Sequence, residues 1–318
     1  MRIVVTGASG FLGSWISRIL SVDHDVVALL RENSDLSSLF GLVNLQTVEL
    51  NPSVWGDFIL SCRPDVLVLN HWQGVGNSER NDPVQMENFH FICKLAFAAR
   101  EAGVKTVIGV GSQAELGPID SLISELAPDN PTSLYGLAKM QTRQALQKCF
   151  NNSTVRFVWM RVFSTYGPLD RGSWLIPNIA DALLSGSPAK MTKGEQQWSY
   201  LHAYDLATAF LTAVENYQLD GIVNVGNPQT ISIKEVGLKI GQILDKVELI
   251  EIGALDYRAD QVMKLQPLCE TLTNFGWKPQ IAFDDGLKQT LQWLQGKELT
   301  TLRTIDRISL NLKIPSRR

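Results

Sequence analysis

The sequence predicts an α/β protein, a doubly wound parallel sheet with a smaller C-terminal α/β lobe. Three observations carry this. Short apolar runs alternate with helical patterns through the first half of the 318 residues, the rhythm of a parallel sheet covered on both faces. A glycine-spaced turn, Thr6-Gly7-Ala8-Ser9-Gly10-Phe11-Leu12-Gly13, joins the first apolar run to the first helical pattern. The rhythm then breaks: residues 167–202 are richer in Gly, Pro, Ser and Trp.

The elements follow in order. Ile3-Val4-Val5 is the first strand, and Phe11, Leu12, Trp15, Ile16, Ile19 and Leu20 share one side of the first helix. Residues 26–30 and 45–50 are the second and third strands. Trp55, Phe58, Ile59 and Cys62 have helical spacing, and 66–69 is a fully apolar fourth strand. Phe89, Ile92, Cys93, Ala96 and Phe97 mark a long helix ending near Gly103. Residues 106–110 are the fifth strand, 132–149 a helix and 155–160 the sixth strand. Residues 167–202 read as loops with one helix at 176–184. A helix at 204–217 and a strand at 222–225 restore the first rhythm. From Ile233 the pattern is a helix, a short strand at 247–250, loops, and a last helix at 285–294.

Bulk properties bound the function. A hydrophobic fraction of 45% and a charged fraction of 19% fit a globular chain with a sizeable core. A net charge of -3 speaks against general nucleic-acid binding. No apolar run approaches membrane-spanning length, and the N-terminus lacks signal-peptide anatomy. The expectation is a cytoplasmic protein with no membrane partner. Cys62, Cys93, Cys149 and Cys269 are scattered, as are His24, His71, His90 and His202. Neither set spells a disulfide frame or a metal site.

The glycine-spaced turn is the dinucleotide fingerprint in its required context, after a strand and opening a helix. Gly7 permits the tight turn, Gly10 lets a pyrophosphate reach the main chain, and Gly13 lets the helix pack closely. The helix N–H groups then face the phosphates. The expected binding residues here are Thr6, Gly7, Ser9, Gly10, Phe11, Leu12 and Gly13; the bland alternative is a glycine-rich turn without a ligand. Beyond the second strand stands Arg31, a planar fork suited to the extra phosphate of NADP, with Asn33 and Ser34 beside it. The expected cofactor is NADP, with NAD as the alternative should Glu32 take the ribose.

Tyr135 and Lys139 lie at i and i+4, on one face of a helix. A nearby ammonium stabilises phenolate, so Lys139 is expected to lower the Tyr135 pKa and to hold the nicotinamide ribose. Just past the fifth strand, Ser112 supplies a hydroxyl for the same substrate oxygen. Ser112, Tyr135 and Lys139 are the expected catalytic group, although a lone serine there is otherwise a turn or cap residue.

With these parts in order, the chain resembles an extended short-chain dehydrogenase/reductase of the NAD(P)-dependent epimerase/dehydratase group acting on nucleotide sugars. The resemblance covers about residues 1–295. It rests on Thr6 to Gly13, Asn88, Ser112 with Gly117, Tyr135 to Lys139, Arg161 with Tyr166-Gly167-Pro168, His202 to Asp205, Asn224-Val225-Gly226, and Phe275-Gly276-Trp277-Lys278-Pro279. It implies a Rossmann cofactor domain over 1–166 and 203–229, and a nucleotide-sugar lobe over 167–202 and 230–296. It also implies a homodimer joined by the helices near 85–102 and 132–149, and adds Asn70 and Asn88 to the cofactor site. The basic stretch 297–318 is expected to be a solvated, partly disordered tail.

The resemblance also sorts the chemistry. Sugar dehydratases look like Thr-Asp-Glu where this chain has Ser112-Gln113-Ala114, so the acid/base pair for elimination is missing. Glu115 lies two positions beyond Gln113. Two-carbon epimerases carry a cysteine after the serine and a histidine after Tyr-Gly-Pro, where this chain has Gln113 and Leu169 or Asp170. What remains is NADPH-dependent reduction of a nucleotide-linked 4-keto-sugar, or a 4-epimerase with retained NAD. The string Gly-Ser-Gln-Ala-Glu-Leu-Gly is similar to synthases of CDP-linked abequose and paratose. A non-sugar carbonyl reductase and a non-catalytic dinucleotide sensor stand behind these.

For substrate, the expected residues are Gln113, Trp174, Asn178, Trp198 and Arg258. Trp198 stands where many relatives have a phosphate-gripping arginine, so Arg258, with Arg171 behind it, is expected to take the phosphates. Trp174 and Trp198 either stack on a base or sugar or simply pack. Asn178 either contacts the diphosphate or caps a helix. The bulky His71 and Trp72 after the fourth strand depart from the small residues relatives place there.

Overall fold

A computed structural model describes residues 1–42, 44–119, 121–258 and 261–296. The tail expected over 297–318 lies outside the described residues. Seven strands form one parallel sheet: β1 (Arg2–Thr6), β2 (Asp25–Leu30), β3 (Leu45–Glu49), β4 (Val66–Leu69), β5 (Thr106–Ser112), β6 (Arg156–Val162) and, after further short strands described below, β11 (Gly221–Val225). Their spatial order is β11-β6-β5-β4-β1-β2-β3. The order reverses between β1 and β4, and a crevice opens at such a point beyond the carboxyl ends of the strands.

Apolar residues on both strand faces demand cover on both sides. Ile3, Val5, Val68, Ile108 and Met160 pack with Ile16 and Leu20 of α1 (Phe11–Leu20) on one face. Val4, Leu67, Val107 and Trp159 pack on the other against α2 (Trp55–Cys62), α3 (Val84–Ala102) and α4 (Leu134–Phe150), through Ile59, Leu95 and Leu146. Gly103 ends α3 at φ +70°, the left-handed residue that closes helices.

The excursion is richer than its sequence pattern suggests. It holds β7 (Thr165–Tyr166), α5 (Leu175–Leu184), β8 (Ala189–Met191), β9 (Gln197–Ser199) and β10 (Leu201–His202). Strands of two or three residues carry too little periodicity to read. The chain then returns: α6 (Ala203–Glu215) places Leu206 and Phe210 in the α1 core, and β11 pairs with β6. Beyond lie β12 (Thr230–Ser232), α7 (Ile233–Leu244), β13 (Ile250–Ile252), β14 (Lys264–Leu265), α8 (Glu270–Asn274) and α9 (Phe283–Leu294).

One expectation is corrected. The short strand expected at 247–250 is a 3-10 turn over Val247–Leu249, and the strand begins at Ile250. Asp245 leaves α7 at φ 54°, and Leu249 N–H bonds Lys246 O; the chain must finish turning before it can pair with β8. Cys269, Leu272 and Trp277 pack in the α1/α6 core, whereas Val236, Ile240, Leu287 and Leu291 pack with α5 in a separate core.

Candidate active site

A cleft of about 1420 Å³ runs along the carboxyl ends of the central strands and under the C-terminal lobe. Its floor begins at the glycine-rich turn. Gly7 sits at φ +64°, and a Cβ there would meet His71 Cα at 2.9 Å. A Cβ on Gly13 would overlap the Gly7 carbonyl oxygen. Gly10 differs: the nearest protein atom to its Cβ position is Gly7 O at 3.4 Å, an ordinary contact. The protein itself leaves room for a side chain at Gly10. Gly10 is the N-cap of α1 and gives no side-chain cap, which leaves the first N–H groups of the helix for an anion. The cradle therefore fits a dinucleotide pyrophosphate.

Three of the expected cofactor residues act at one remove. Thr6, fully buried, donates its hydroxyl to Val68 O at 3.2 Å and accepts the N–H groups of Asn70 and His71 at 3.0 and 3.1 Å. Gly13 serves packing. Asn88 is buried and brackets Gln73, accepting its N–H and donating to its carbonyl, both at 2.9 Å. These residues shape the walls without lining the cleft. Gly7, Ser9, Gly10, Phe11, Leu12, Arg31, Asn70, Tyr135 and Lys139 do line it. The Asn70 amide also donates to Gly7 O at 3.1 Å, fastening the turn to the end of β4.

Beyond β2 the cleft is lined by Arg31, Ser34, Asp35, Ser37 and Ser38. Glu32, the carboxylate considered for NAD, is not among the lining residues; Asp35 is. Ser38 donates to Ser9 O at 2.9 Å, joining this loop to the glycine-rich turn. Arg171, expected behind Arg258 at the substrate phosphates, instead approaches Asp35 at 3.6 Å and lies over the Trp293 ring. Neither Asp35 nor this role of Arg171 carries a sequence signal.

The expected catalytic group is drawn from two elements. Ser112 ends β5. Tyr135 and Lys139 lie on α4, whose N-cap Ser133 accepts the Gly136 N–H at 3.2 Å. A Cβ on Gly136 would overlap Ala114 O, so glycine is what lets α4 approach the turn after Ser112. Burial raises the Tyr135 pKa, while the Ser112 hydroxyl and the Arg80 guanidinium pull it down. This corrects the expectation that Lys139 lowers it. The Lys139 ammonium donates to Val110 O at 2.8 Å and sits 3.7 Å from the Trp72 ring centroid, against 5.9 Å for the Tyr135 ring. Burial draws its pKa down to about 7, with Glu115 opposing. Arg80, which no motif announced, stands 5.7 Å from the Tyr135 ring centroid.

Glu115 is fully buried and committed elsewhere. It accepts the Ser112 N–H at 2.8 Å, the Trp159 indole N–H at 2.9 Å and the Arg143 Nε–H at 3.2 Å, with Arg161 Nε at 3.7 Å. Asp129 completes the cluster through Arg143.

The residues expected for substrate, Gln113, Trp174, Asn178, Trp198 and Arg258, all line the cleft. Trp198 donates its indole N–H to Val262 O at 2.9 Å and is partly buried, packed against two cores. Trp174 is the N-cap of α5 and Asn178 lies inside the helix, which removes the cap as the reason for Asn178. Two buried titratable residues also line the cleft. Asp170 is raised to about 6 by burial. His71, packed edge-on to Trp55 and Phe91, is lowered to about 4, again mainly by burial. Among the described residues no cluster of His, Cys, Asp and Glu has metal-binding geometry, and no helix is long and apolar enough to cross a membrane.

Residues 3–226 match the NAD dependent epimerase/dehydratase family. The chain belongs to that family. It is an enzyme of the extended short-chain dehydrogenase/reductase type. Mouse (Mus musculus) dTDP-D-glucose 4,6-dehydratase is 25% identical to it over 314 residues, spanning 92% of this chain and 88% of that protein. CDP-abequose synthase of Salmonella typhimurium is 24% identical over 309 residues, 92% of this chain and 98% of that protein. The fold is similar to that of UDP-N-acetylglucosamine 4-epimerase from Methanobrevibacter ruminantium, solved with UDP-N-acetylmuramic acid. The TM-score is 0.84 at 21% identity, over 93% of this chain and 98% of that one. Within this family, position 113 is where the resemblance puts the dehydratase acid. Gln113 faces the cleft there, and the neighbouring Glu115 is held by two arginines.

Proposed function

We propose that this enzyme reduces a nucleotide-linked 4-keto-deoxysugar with NADPH. The observation that carries the reading is the combination at β5 and α4. Ser112, Tyr135 and Lys139 border one cleft, while Gln113 and the sequestered Glu115 leave elimination of water without an acid/base pair. A bound NADPH would supply hydride to the sugar carbonyl carbon. Tyr135 donates its hydroxyl proton to the carbonyl oxygen, Ser112 hydrogen-bonds that oxygen, and Lys139 stabilises the phenolate left behind. The products are the alcohol and the oxidised dinucleotide, with the tyrosine reprotonated from solvent. Arg31 and Ser34 are the groups suited to the 2′-phosphate. Arg258, Asn178, Trp174 and Trp198 form the nucleotide-sugar side. The product would enter polysaccharide synthesis in the cytoplasm.

One observation favours a second reading. Asp35 puts a carboxylate in the cofactor loop, where it suits the ribose hydroxyls of NAD, and the family description itself names NAD. A retained NAD would make the enzyme a 4-epimerase. We further propose that two copies meet through α3 and α4, where Phe97 is 59% exposed. Light scattering is expected to give twice the chain mass, and Phe97→Glu to give one chain mass; a monomeric wild type would refute the dimer.

The test of the function is a panel of UDP-, GDP-, dTDP- and CDP-linked 4-keto sugars, with NADPH consumption followed at 340 nm, a wavelength set by the dihydronicotinamide (about 340 nm). The reductase consumes NADPH with at least one member. Absence of turnover with all of them, or stoichiometric NAD in the purified protein together with 4-epimerase activity, would overturn it.

A further inference from the structure

Trp72, after the end of β4, and Lys139, on α4, form a pair beside the proposed catalytic group. Here the Lys139 ammonium lies 3.7 Å from the centre of the Trp72 ring. The indole is gripped on its edge as well. Its N–H donates to Gln85 Oε1 at 2.8 Å, and Gln85, itself fully buried, uses its amide N–H groups on Gly74 O at 2.6 Å and Glu79 O at 3.0 Å. The Tyr135 ring meets the indole edge-to-face, at 6.1 Å between centroids and 88° between planes.

Of the charged groups around Lys139, Glu115 favours its ammonium form. From α4, Tyr135 is neutral at ordinary pH. From the turn after β5, Glu115 is engaged by Arg143, Ser112 and Trp159. From the end of β4, His71 is neutral above about pH 4. Arg80, from the segment before α3, lies near Tyr135 and carries like charge. Lys139 is buried, at 4% exposure. Its stabilising contacts are the Val110 carbonyl and the indole face, and the attraction of a desolvated cation to an indole face is among the stronger of its kind.

We propose that Trp72 is a positioning residue for Lys139, holding its ammonium in the cleft and keeping it charged for the reaction at Tyr135. The proposal rests on the role given to Lys139 above. The physical claim concerns the lysine alone and is measurable without turnover.

The experiment labels lysine side chains with ¹³C at Cε and titrates the free protein by NMR, with the Lys139 resonance assigned from Lys139→Arg. Trp72→Leu is expected to lower the Lys139 pKa by about one pH unit. Trp72→Phe, which keeps a ring, is expected to lower it by less than half as much. Incorporation of fluorinated tryptophan thins the electron density on the ring face with almost no change of shape, and is expected to shift the pKa in the same downward direction. That measurement stands even if a substitution at Trp72 impairs folding. In turnover, the alkaline limb of the kcat profile moves down with the Lys139 pKa. A Lys139 pKa unchanged by both Trp72→Leu and fluorination would overturn the proposal, as would Trp72→Phe shifting it as far as Trp72→Leu. If the keto-sugar panel fails while these shifts appear, the reductase reading falls and the Trp72–Lys139 coupling stands.

Discussion

Glu115 and Arg143 form a buried ion pair, Oε2 to Nε at 3.2 Å, with the glutamate side chain fully buried and the arginine 7% exposed. Removing one partner strands the other charge in the interior. Glu115→Ala is therefore expected to destabilise the fold by about 3–5 kcal/mol. Glu115→Gln, which still accepts hydrogen bonds from Ser112 and Trp159, is expected to cost less. Urea unfolding midpoints measure both. A loss under about 1 kcal/mol for the alanine variant would show that the cluster is not the strut we describe.

Tyr135 is the proton donor of the proposed reaction. Tyr135→Phe is expected to reduce kcat by about 10²–10⁴-fold and to leave the dissociation constant for NADPH nearly unchanged, read by quenching of protein fluorescence. Undiminished turnover would assign the proton to another group.

Arg31 lines the cleft beyond β2. A charge-assisted hydrogen bond to a phosphate contributes about 1.5–3 kcal/mol, equivalent to about 10–100-fold in affinity. Arg31→Ala is expected to weaken NADPH by that factor and leave NADH unaffected. Equal losses for both cofactors, or a wild type that prefers NADH, would favour the epimerase with its Asp35 carboxylate.

Asp170 gives a pH dependence. Burial raises its pKa to about 6, opposed by the Gly172 N–H at 3.0 Å, whereas an unfolded aspartate titrates near 3.9 (about 3.9). Between these values the folded state binds the extra proton. Its stability thus falls as pH rises from about 4 to about 6, then levels. Asp170→Asn keeps an acceptor for Gly172 and removes the titration. The variant is expected to match wild type near pH 4 and to exceed it by about 2–3 kcal/mol at pH 7. Denaturant melts at the two pH values test this, and a difference that does not grow with pH would refute it.

The sheet strands, the glycine-rich turn and the shared helix face of Tyr135 and Lys139 were legible because each depends on local spacing. Period-two and period-3.6 patterns survive in a single sequence, and Tyr135 and Lys139 need only one helix to share a face. What was not legible depends on distant segments. Glu115 meets Arg143 28 residues on and Trp159 44 residues on, so nothing near it in sequence reveals that it is sequestered. Arg80 reaches Tyr135 because the Tyr135 N–H bonds the Arg80 carbonyl at 2.8 Å, a contact between a loop and a helix start. Trp72 and His71 stood out by size, but what they pack against follows from α3 and α4. The lobe strands escaped because two or three residues hold no period.

The glycine-rich turn answers to two masters. Gly7 and Gly13 are required by the polypeptide, since a methyl group would strike His71 Cα at one and a carbonyl oxygen at the other. Gly10 meets no such obstacle within the protein. An alanine at Gly10 is therefore expected to leave the fold intact and to weaken dinucleotide binding, whereas an alanine at Gly13 is expected to disturb the fold. The turn thus carries its own switch for uncoupling architecture from ligand, and a cell carrying the first variant would show what the protein does as a scaffold once its chemistry is silenced.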